Sequence, residues 1–171
     1  MAREIQPSMI QILVTGGTFD KDYDYITGRL IFGETHVNAM LERGRCTVPY
    51  TVRTLMMIDS LDMTDADREQ IAFSVERSPH RQIVITHGSD TMVKTARFLA
   101  GRPLTDKTVV LTGAMVPYAF GTSSDGFYNL GAALSFAQTL PPGVYVAMNG
   151  QAFDYDKVRK NRSTGLFERT A

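Results

Sequence analysis

The chain of 171 residues has no tryptophan, one cysteine and no excess of either charge, with 18 basic and 18 acidic residues. A lone cysteine, Cys46, excludes a disulfide within the chain. The longest apolar runs have the length of strands, which argues against a transmembrane helix. Balanced charge without a basic block gives no electrostatic reason to expect nucleic acid or an anionic membrane as a partner. The first residues lack the apolar stretch of a signal peptide, so we expect a cytoplasmic protein.

Short β-branched runs alternate with segments of helical spacing along most of the chain. Five runs are typical of strands: MIQILVT, TVRTLMMI, RQIVIT, KTVVLT and GVYVAMN. The segments between them predict helices near residues 34–45, 62–79, 91–102 and 127–140. This alternation predicts a doubly wound α/β fold with a mostly parallel sheet, in a single domain over residues 1–171. Residues 151–171 are polar without a clear period, and we expect packing on the domain or on a neighbouring subunit to hold them.

The predicted strands end in small polar loops: TGGT, DSLD, THGSDT, TGAM and MNG. The carboxyl ends of parallel strands lie at one edge of a sheet, and open α/β sheets bind their ligands there. Glycines in these loops allow backbone amides to approach a ligand closely. We therefore expect a common site surrounded by Thr15, Thr18, Ser60, Thr86, Ser89, Asp90, Thr91 and Thr112.

Each of these features has an ordinary structural explanation when it is taken alone. TGGT could be a strand-to-helix turn, and it matches neither the dinucleotide fingerprint nor the phosphate loop. Asp90 and Thr91 could cap a helix, Lys160 could be a solvated surface charge, and His87 could be a hydrogen-bonded structural residue. The three histidines show no metal-ligand spacing, so we expect no metal and no other cofactor.

The motifs carry more information in their order along the chain. VTGGTF (14–19) and ITHGSDTM (85–92) are accompanied by SLDM (60–63), LTGAMVP (111–117), SSDGFYNL (123–130) and AFDYDKVRKNRST (152–164). In this order they resemble the motifs of the bacterial-type L-asparaginases, through nearly the whole chain. The resemblance implies an amidohydrolase that converts L-asparagine to L-aspartate and ammonia through a threonine nucleophile and an acyl-enzyme, without a cofactor.

The resemblance also implies roles for individual residues. Thr18 matches the nucleophile, and Tyr25 matches the tyrosine of a mobile loop over the site, with Tyr23 as the alternative. Ser89, Asp90 and Lys160 match a hydrogen-bonded group that passes protons and positions water.

Substrate contacts follow from the same resemblance. Asp90 would also hold the α-ammonium of the substrate, Ser60 its α-carboxylate, and the carbonyl of Ala114 the leaving amide nitrogen.

The chain departs from the family pattern at three points. Ser89 stands where the family usually has threonine, and Leu61 stands where a polar substrate contact is common. Family members usually continue into a smaller C-terminal domain, which lends an acidic residue to a neighbouring site, whereas this sequence stops at Ala171. We expect a short single-domain form that assembles as a homo-oligomer, by family precedent a tetramer. Which residue replaces the acid stays open.

Two other functions are compatible with the motifs. One is a non-catalytic amino-acid-binding or sensor domain derived from the same fold, and a weaker one is the glutaminase-like subunit of a larger amidotransferase. A binding module has little need of both a nucleophile and a lysine. Retention of Thr18, Asp90 and Lys160 together therefore favours the enzyme.

Overall fold

The computed structural model describes residues 8–171 and contains four α-helices and ten strands in that range. The helices are α1 (Val37–Arg43), α2 (Asp65–Arg77), α3 (Met92–Ala100) and α4 (Gly126–Thr139). The strands are β1 (Ile10–Gly16), β2 (Lys21–Asp24), β3 (Arg29–Phe32), β4 (Tyr50–Ile58), β5 (Gln82–Thr86), β6 (Thr108–Thr112), β7 (Gly143–Met148), β8 (Gln151–Asp154), β9 (Val158–Lys160) and β10 (Phe167–Arg169). No helix within these residues is long and apolar enough to cross a membrane.

Six strands form the central sheet in the order β4-β1-β5-β6-β7-β8. The first five are parallel, and β8 runs antiparallel to β7 at the edge. The predicted doubly wound, mostly parallel α/β fold is confirmed. From β1 the chain moves outward to β4 and then returns to place β5 on the other side of β1. Such a reversal opens a crevice at the carboxyl ends of the two strands, here β1 and β5.

Both faces of the sheet are covered, which explains why its central strands are apolar at nearly every position. Alternate residues of one strand point to opposite faces: Leu13 packs with the residues of α2 and α3, whereas Ile12 and Val14 pack with those of α1 and α4. The predicted start of α2 is confirmed, since Thr64 forms a capping box with Asp67.

Two segments were not predicted as regular structure. The first is an antiparallel hairpin of β2 and β3, a two-stranded sheet of its own with its turn at residues 25–28. The second is the polar tail, which adds β8 to the sheet and then forms the β9–β10 hairpin. Phe153, Val158 and Phe167 of this tail are at most 3% exposed and join the core. Burial of side chains of this size contributes roughly 2 kcal/mol each, so the tail is held by its own domain and needs no neighbour for order.

Candidate active site

The turn after β1 brings the backbone of three loops together. Gly16 and Gly17 have φ angles of 102° and 74°, which other residues rarely adopt. A Cβ atom on Gly16 would lie 2.5 Å from the nitrogen of Ile58, and one on Gly17 would lie 2.4 Å from the Cα of Gly88. Two adjacent glycines are therefore needed for the β1 turn to lie directly against the loops that follow β4 and β5.

Thr18 follows this turn at the start of a short 3₁₀ segment, Thr18–Asp20. The residue is partly exposed, and its hydroxyl makes no hydrogen bond within residues 8–171. A partly exposed hydroxyl without a protein partner is available to a ligand.

Ser89 and Asp90, in the loop after β5, form one hydrogen-bonded cluster with Lys160. Lys160 is the last residue of β9, and its Nζ donates to Ser89 Oγ at 2.8 Å and to Asp90 Oδ1 at 2.9 Å. The side chain of Lys160 is 11% exposed and that of Asp90 is 30% exposed. Lys160, which could have been a solvated surface charge when considered alone, is thus mostly buried and paired with residues 70 and 71 positions earlier in the chain.

Arg162 also binds Asp90, and sequence reasoning missed it. Its Nη1 donates to Asp90 Oδ1 at 3.0 Å, and its Nη2 donates to the backbone carbonyl of Asp90 at 3.3 Å. Arg162 lies two residues after Lys160, in the turn between β9 and β10. Recognising that hairpin in the sequence would have indicated that both cations lie on one side of it.

Ser60 is locked against the start of α3. It is 1% exposed, its Oγ accepts the amide of Thr91 at 3.3 Å, and its carbonyl accepts the Thr91 hydroxyl at 2.8 Å. A Cβ atom on Gly88 would lie 2.5 Å from Ser60 Oγ. Thr91 is the N-cap residue of α3, but its side chain makes no capping bond and instead binds Ser60 in the loop after β4. The loop after β4 is therefore held in place by the loop after β5.

Lys21 and Asp59 clamp the same loop from the other side. Lys21 Nζ lies 2.6 Å from Asp59 Oδ2, and the amide of Leu61 donates to Asp59 Oδ1 at 3.1 Å. The hydrogen bond from Lys21 lowers the pKa of the Asp59 carboxyl below its ordinary value. This ion pair ties the segment after Thr18 to the segment that carries Ser60.

His87 lies fully buried beneath the cluster. Its Nδ1 is 2.8 Å from the carbonyl of Gly88, and its Nε2 is 2.8 Å from Thr95 Oγ1. Thr95 Oγ1 accepts the Nε hydrogen of Arg68 at 3.1 Å, so the Thr95 proton is free to point at His87 Nε2. Burial lowers the pKa of His87 to about 4. The neutral imidazole supports the loop after β5 through these hydrogen bonds, which agrees with the structural explanation given for His87 above.

Two side chains hold the loop after β6, which contains Ala114. One is Asp125, the N-cap residue of α4, and the other is Asn129, within α4. Asp125 accepts the amides of Met115 and Val116 at 3.0 Å, and Asn129 Nδ2 donates to the carbonyl of Gly113 at 2.9 Å. Ala114 itself is 1% exposed. Asp125 and Asn129 belong to SSDGFYNL, whose role in positioning this loop was not predicted.

Residues 9–168 match the family model described as asparaginase, N-terminal. The chain belongs to the asparaginase family. The probable periplasmic L-asparaginase of Haemophilus influenzae is 32% identical over 176 residues, which cover 92% of this chain and 47% of that protein.

Solved asparaginase structures share the fold. The thermostable L-asparaginase of Thermococcus kodakarensis has a TM-score of 0.81 at 29% identity and covers 94% of this chain and 51% of its own. The probable cytoplasmic L-asparaginase of Campylobacter jejuni has a TM-score of 0.81 at 31% identity, with 95% and 53% covered. The chain spans about half the length of the curated relatives it matches.

Three of the hydroxyls expected around the asparaginase-family site are instead buried inside the sheet. Thr15, Thr86 and Thr112 are 0% exposed. Thr15 Oγ1 donates to the carbonyl of Thr86 at 2.7 Å, and Thr112 Oγ1 donates to that of Ala147 at 2.8 Å. Thr86 Oγ1 is buried without a hydrogen-bond partner among the described residues. The expectation that these three residues line the site was wrong, because they lie fully buried within the strands or at their ends.

The predicted loop tyrosines lie on the β2–β3 hairpin of this asparaginase-family domain. Tyr25 begins its turn and is 83% exposed, while Tyr23 is 54% exposed and meets Phe120 edge-on with ring centres 6.3 Å apart. Neither hydroxyl forms a hydrogen bond with Thr18, or with any other side chain in the part of the chain that the structure describes. The choice between them, and their role over the site, stays a prediction.

Proposed function

We propose that this chain is an amidohydrolase that releases ammonia from L-asparagine, with Thr18 as its nucleophile. The observation that supports this most is the Lys160 cluster on the loop that touches the Thr18 turn. Gly17 lies directly against Gly88, so Thr18 and Ser89 are the next residues of two loops in backbone contact. A hydroxyl nucleophile needs such a neighbouring group to carry its proton.

The reaction would run in two halves. In the first, Thr18 Oγ attacks the side-chain amide carbon, its proton passes through the Ser89 hydroxyl and Lys160, and the amide nitrogen leaves as ammonia after gaining a proton. In the second, water attacks the Thr18 ester and the bond from the carbonyl carbon to Thr18 Oγ breaks; one proton of the water returns to Thr18 Oγ, and the acid that is released loses its own proton to become the carboxylate. Backbone amides of the glycine turn supply donors for the negative charge that develops on the carbonyl oxygen.

Ser60, Asp90 and Ala114 would orient the substrate. The Ser60 hydroxyl accepts from Thr91 and retains its own proton, which could be donated to a substrate carboxylate. Asp90 would face the α-ammonium, and the buried carbonyl of Ala114 would accept from the leaving amide nitrogen. Together these contacts would fix the amide carbon in front of Thr18.

The alternative of a non-catalytic binding or sensor domain has no support in the comparisons. It also does not explain why Lys160 is mostly buried. Burial of an ammonium costs solvation free energy, and a site that only binds an amino acid has no need of that cost. A cytoplasmic location stays a prediction, since the names of the relatives include a periplasmic and a cytoplasmic enzyme.

The direct test is ammonia release from L-asparagine, measured by a coupled assay beside L-glutamine. Thr18→Ala should lower kcat by several orders of magnitude, as loss of a nucleophile does in other hydrolases, with an unchanged melting temperature. Thr105→Ala is the control, because Thr105 lies exposed on the loop before β6, at the opposite edge of the sheet. A Thr18→Ala variant that keeps a near-normal rate would show that another residue attacks.

A further inference from the structure

Arg68 is a buried cation that the proposed reaction does not use. It lies in the first turn of α2 and is 1% exposed. Its Nη1 donates to the carbonyl of Met63 at 3.2 Å and to Asp65 Oδ1 at 3.1 Å. Asp65 is its one carboxylate partner within 4 Å in residues 8–171, and that side chain is 73% exposed. Because a buried guanidinium loses solvation that an exposed carboxylate only partly replaces, the packing of α2 alone does not account for Arg68.

One side of the guanidinium is linked to Ser60 through Thr91. Arg68 Nη2 donates to Thr91 Oγ1 at 3.2 Å, and Thr91 Oγ1 donates to the carbonyl of Ser60 at 2.8 Å. A hydroxyl has one proton, so the bond accepted from Arg68 leaves the proton of Thr91 for Ser60. The amide of Thr91 donates to Ser60 Oγ at 3.3 Å. The Ser60 proton is therefore left for a ligand, which is what a substrate carboxylate requires.

The other side of the guanidinium leads to the same place through His87. Arg68 Nε donates to Thr95 Oγ1 at 3.1 Å, and Thr95 Oγ1 lies 2.8 Å from His87 Nε2. His87 Nδ1 lies 2.8 Å from the carbonyl of Gly88, where an added Cβ atom would come within 2.5 Å of Ser60 Oγ. Both sides of Arg68 thus end where the loops after β4 and β5 touch.

The planar guanidinium relates these two sides to each other. Its donors stand at fixed angles, so the contacts with Thr91 and Thr95 set the position of the first turn of α3 relative to α2. A hydroxyl that accepts from a cation also becomes a stronger donor to its own acceptor. Arg68 thereby strengthens the bond from Thr91 to Ser60. An apolar side chain of equal volume would fill the space but provide neither effect.

We propose that Arg68 is a positioning residue that, through Thr91, holds the Ser60 hydroxyl in the orientation that binds the substrate carboxylate. This assignment rests on the proposed contact of Ser60 with the α-carboxylate of L-asparagine. In the described part of the chain, Arg68 makes no hydrogen bond with Thr18 or Lys160. Arg68 therefore determines substrate affinity rather than the rate of the chemical steps.

A double-mutant cycle tests the dependence on Thr91. Arg68→Met removes the four hydrogen bonds and keeps an unbranched apolar stem, Thr91→Val removes the hydroxyl, and a third variant combines both. Arg68→Lys keeps the positive charge without the planar fork, and Thr91→Ser keeps the hydroxyl. Arg102→Met is the control, because Arg102 follows the C-terminal end of α3, away from Thr91, and pairs with Glu69 and Glu76 of α2. It removes a guanidinium link between the same two helices without touching the loop after β4.

The affinity for L-aspartate, the product that retains the α-carboxylate, is measured by calorimetric titration beside the melting temperature. Arg68→Met, Arg68→Lys and Thr91→Val should each bind L-aspartate about fivefold more weakly than the wild type, the usual effect of one lost hydrogen bond. The double variant should be no weaker than the single ones, whereas independent effects would multiply to about 25-fold. Thr91→Ser and Arg102→Met should bind like the wild type. In the weakened variants the KM for L-asparagine should rise in parallel, while kcat changes by less than about twofold.

Several outcomes overturn the assignment. They are wild-type affinity in Arg68→Met or Arg68→Lys, multiplied losses in the double variant, an equal loss in Arg102→Met or Thr91→Ser, a fall in kcat at unchanged KM, and no binding of L-aspartate by the wild type. If Arg68→Met does not fold, Arg68→Lys takes its place in the cycle. The expected binding pattern without ammonia from L-asparagine would refute the proposed hydrolysis and leave the role of Arg68 intact. Ammonia release with unchanged affinity in the Arg68 variants would do the reverse.

Discussion

Replacement of Lys160 by methionine separates the catalytic use of this residue from its contribution to stability. Methionine keeps an unbranched apolar stem of similar length and removes the ammonium. The variant loses the 2.8 Å bond to Ser89 Oγ and the 2.9 Å bond to Asp90 Oδ1. Asp90 retains Arg162 at 3.0 Å, so its carboxylate stays paired.

The expected cost in free energy of unfolding is about 1–2 kcal/mol. Exposed ion pairs contribute about 0–1 kcal/mol, and removal of one partner from a fully buried pair costs about 3–5 kcal/mol. Lys160 is 11% exposed and Asp90 30%, which places the pair between these limits, and the remaining Arg162 lowers the cost further. Activity should fall much more, by about 10²–10⁴ in kcat, the usual contribution of a positioned proton-transfer group.

Lys21→Met is the matched comparison for stability. The Lys21–Asp59 pair is 16% and 32% exposed, close to the values for Lys160 and Asp90. Asp59 has no second cation within 4 Å in the described residues. Lys21→Met should therefore be destabilised more than Lys160→Met and yet retain a larger share of kcat. Exposed Lys157, on the same tail, serves as the charge control through Lys157→Met, which should change neither quantity.

Urea unfolding and the ammonia assay are measured on the wild type and on the Lys160→Met, Lys21→Met and Lys157→Met variants. Near-normal kcat in Lys160→Met would refute the proton-transfer role. A Lys160→Met variant much less stable than Lys21→Met would refute the reasoning that Arg162 keeps Asp90 paired.

Three further predictions concern stability and assembly. The pKa of His87 is about 4 in the folded state against 6.5 ordinarily, so the unfolded state binds the proton first as the pH falls; stability should be lost between pH 6.5 and 4, by up to about 3 kcal/mol. Urea unfolding at several pH values should show this loss in the wild type and in His80→Gln but not in His87→Gln, and equal profiles would contradict it. Gly131→Ala, at an exposed position of α4, should raise the free energy of unfolding by about 0.5–1 kcal/mol, because the new Cβ meets nothing within 4 Å and alanine favours the helix; a lower melting temperature would refute it. A homotetramer remains a prediction, and the apolar turn of the β2–β3 hairpin, where Ile26 is 81% exposed, is a surface that assembly could cover. Light scattering at several concentrations, with activity assays in parallel, tests this prediction. A fully active monomer at the lowest concentration would contradict it.

Local pattern sufficed for the central layers of this fold. A parallel strand buried on both faces must be apolar at successive positions, and an amphipathic helix must repeat every three to four residues, so both can be recognised from neighbouring residues alone. The glycine loops were recognisable for a similar reason, because close backbone approach excludes a Cβ atom. The sequence therefore determined the strand-helix alternation, the edge that carries the loops, and Thr18, Ser89 and Asp90 as members of those loops.

The meeting of distant segments depends on the assembled fold. The tail has no period because its three buried side chains, Phe153, Val158 and Phe167, fill space between elements rather than one face of a helix or strand. The pairing of Lys160 and Arg162 with Asp90 spans 70 and 72 residues and depends on the antiparallel turn from β7 to β8 and on the β9–β10 hairpin. Local propensity acts over a few residues, whereas these contacts depend on strand order and on the volume left beside α3, which no local pattern encodes.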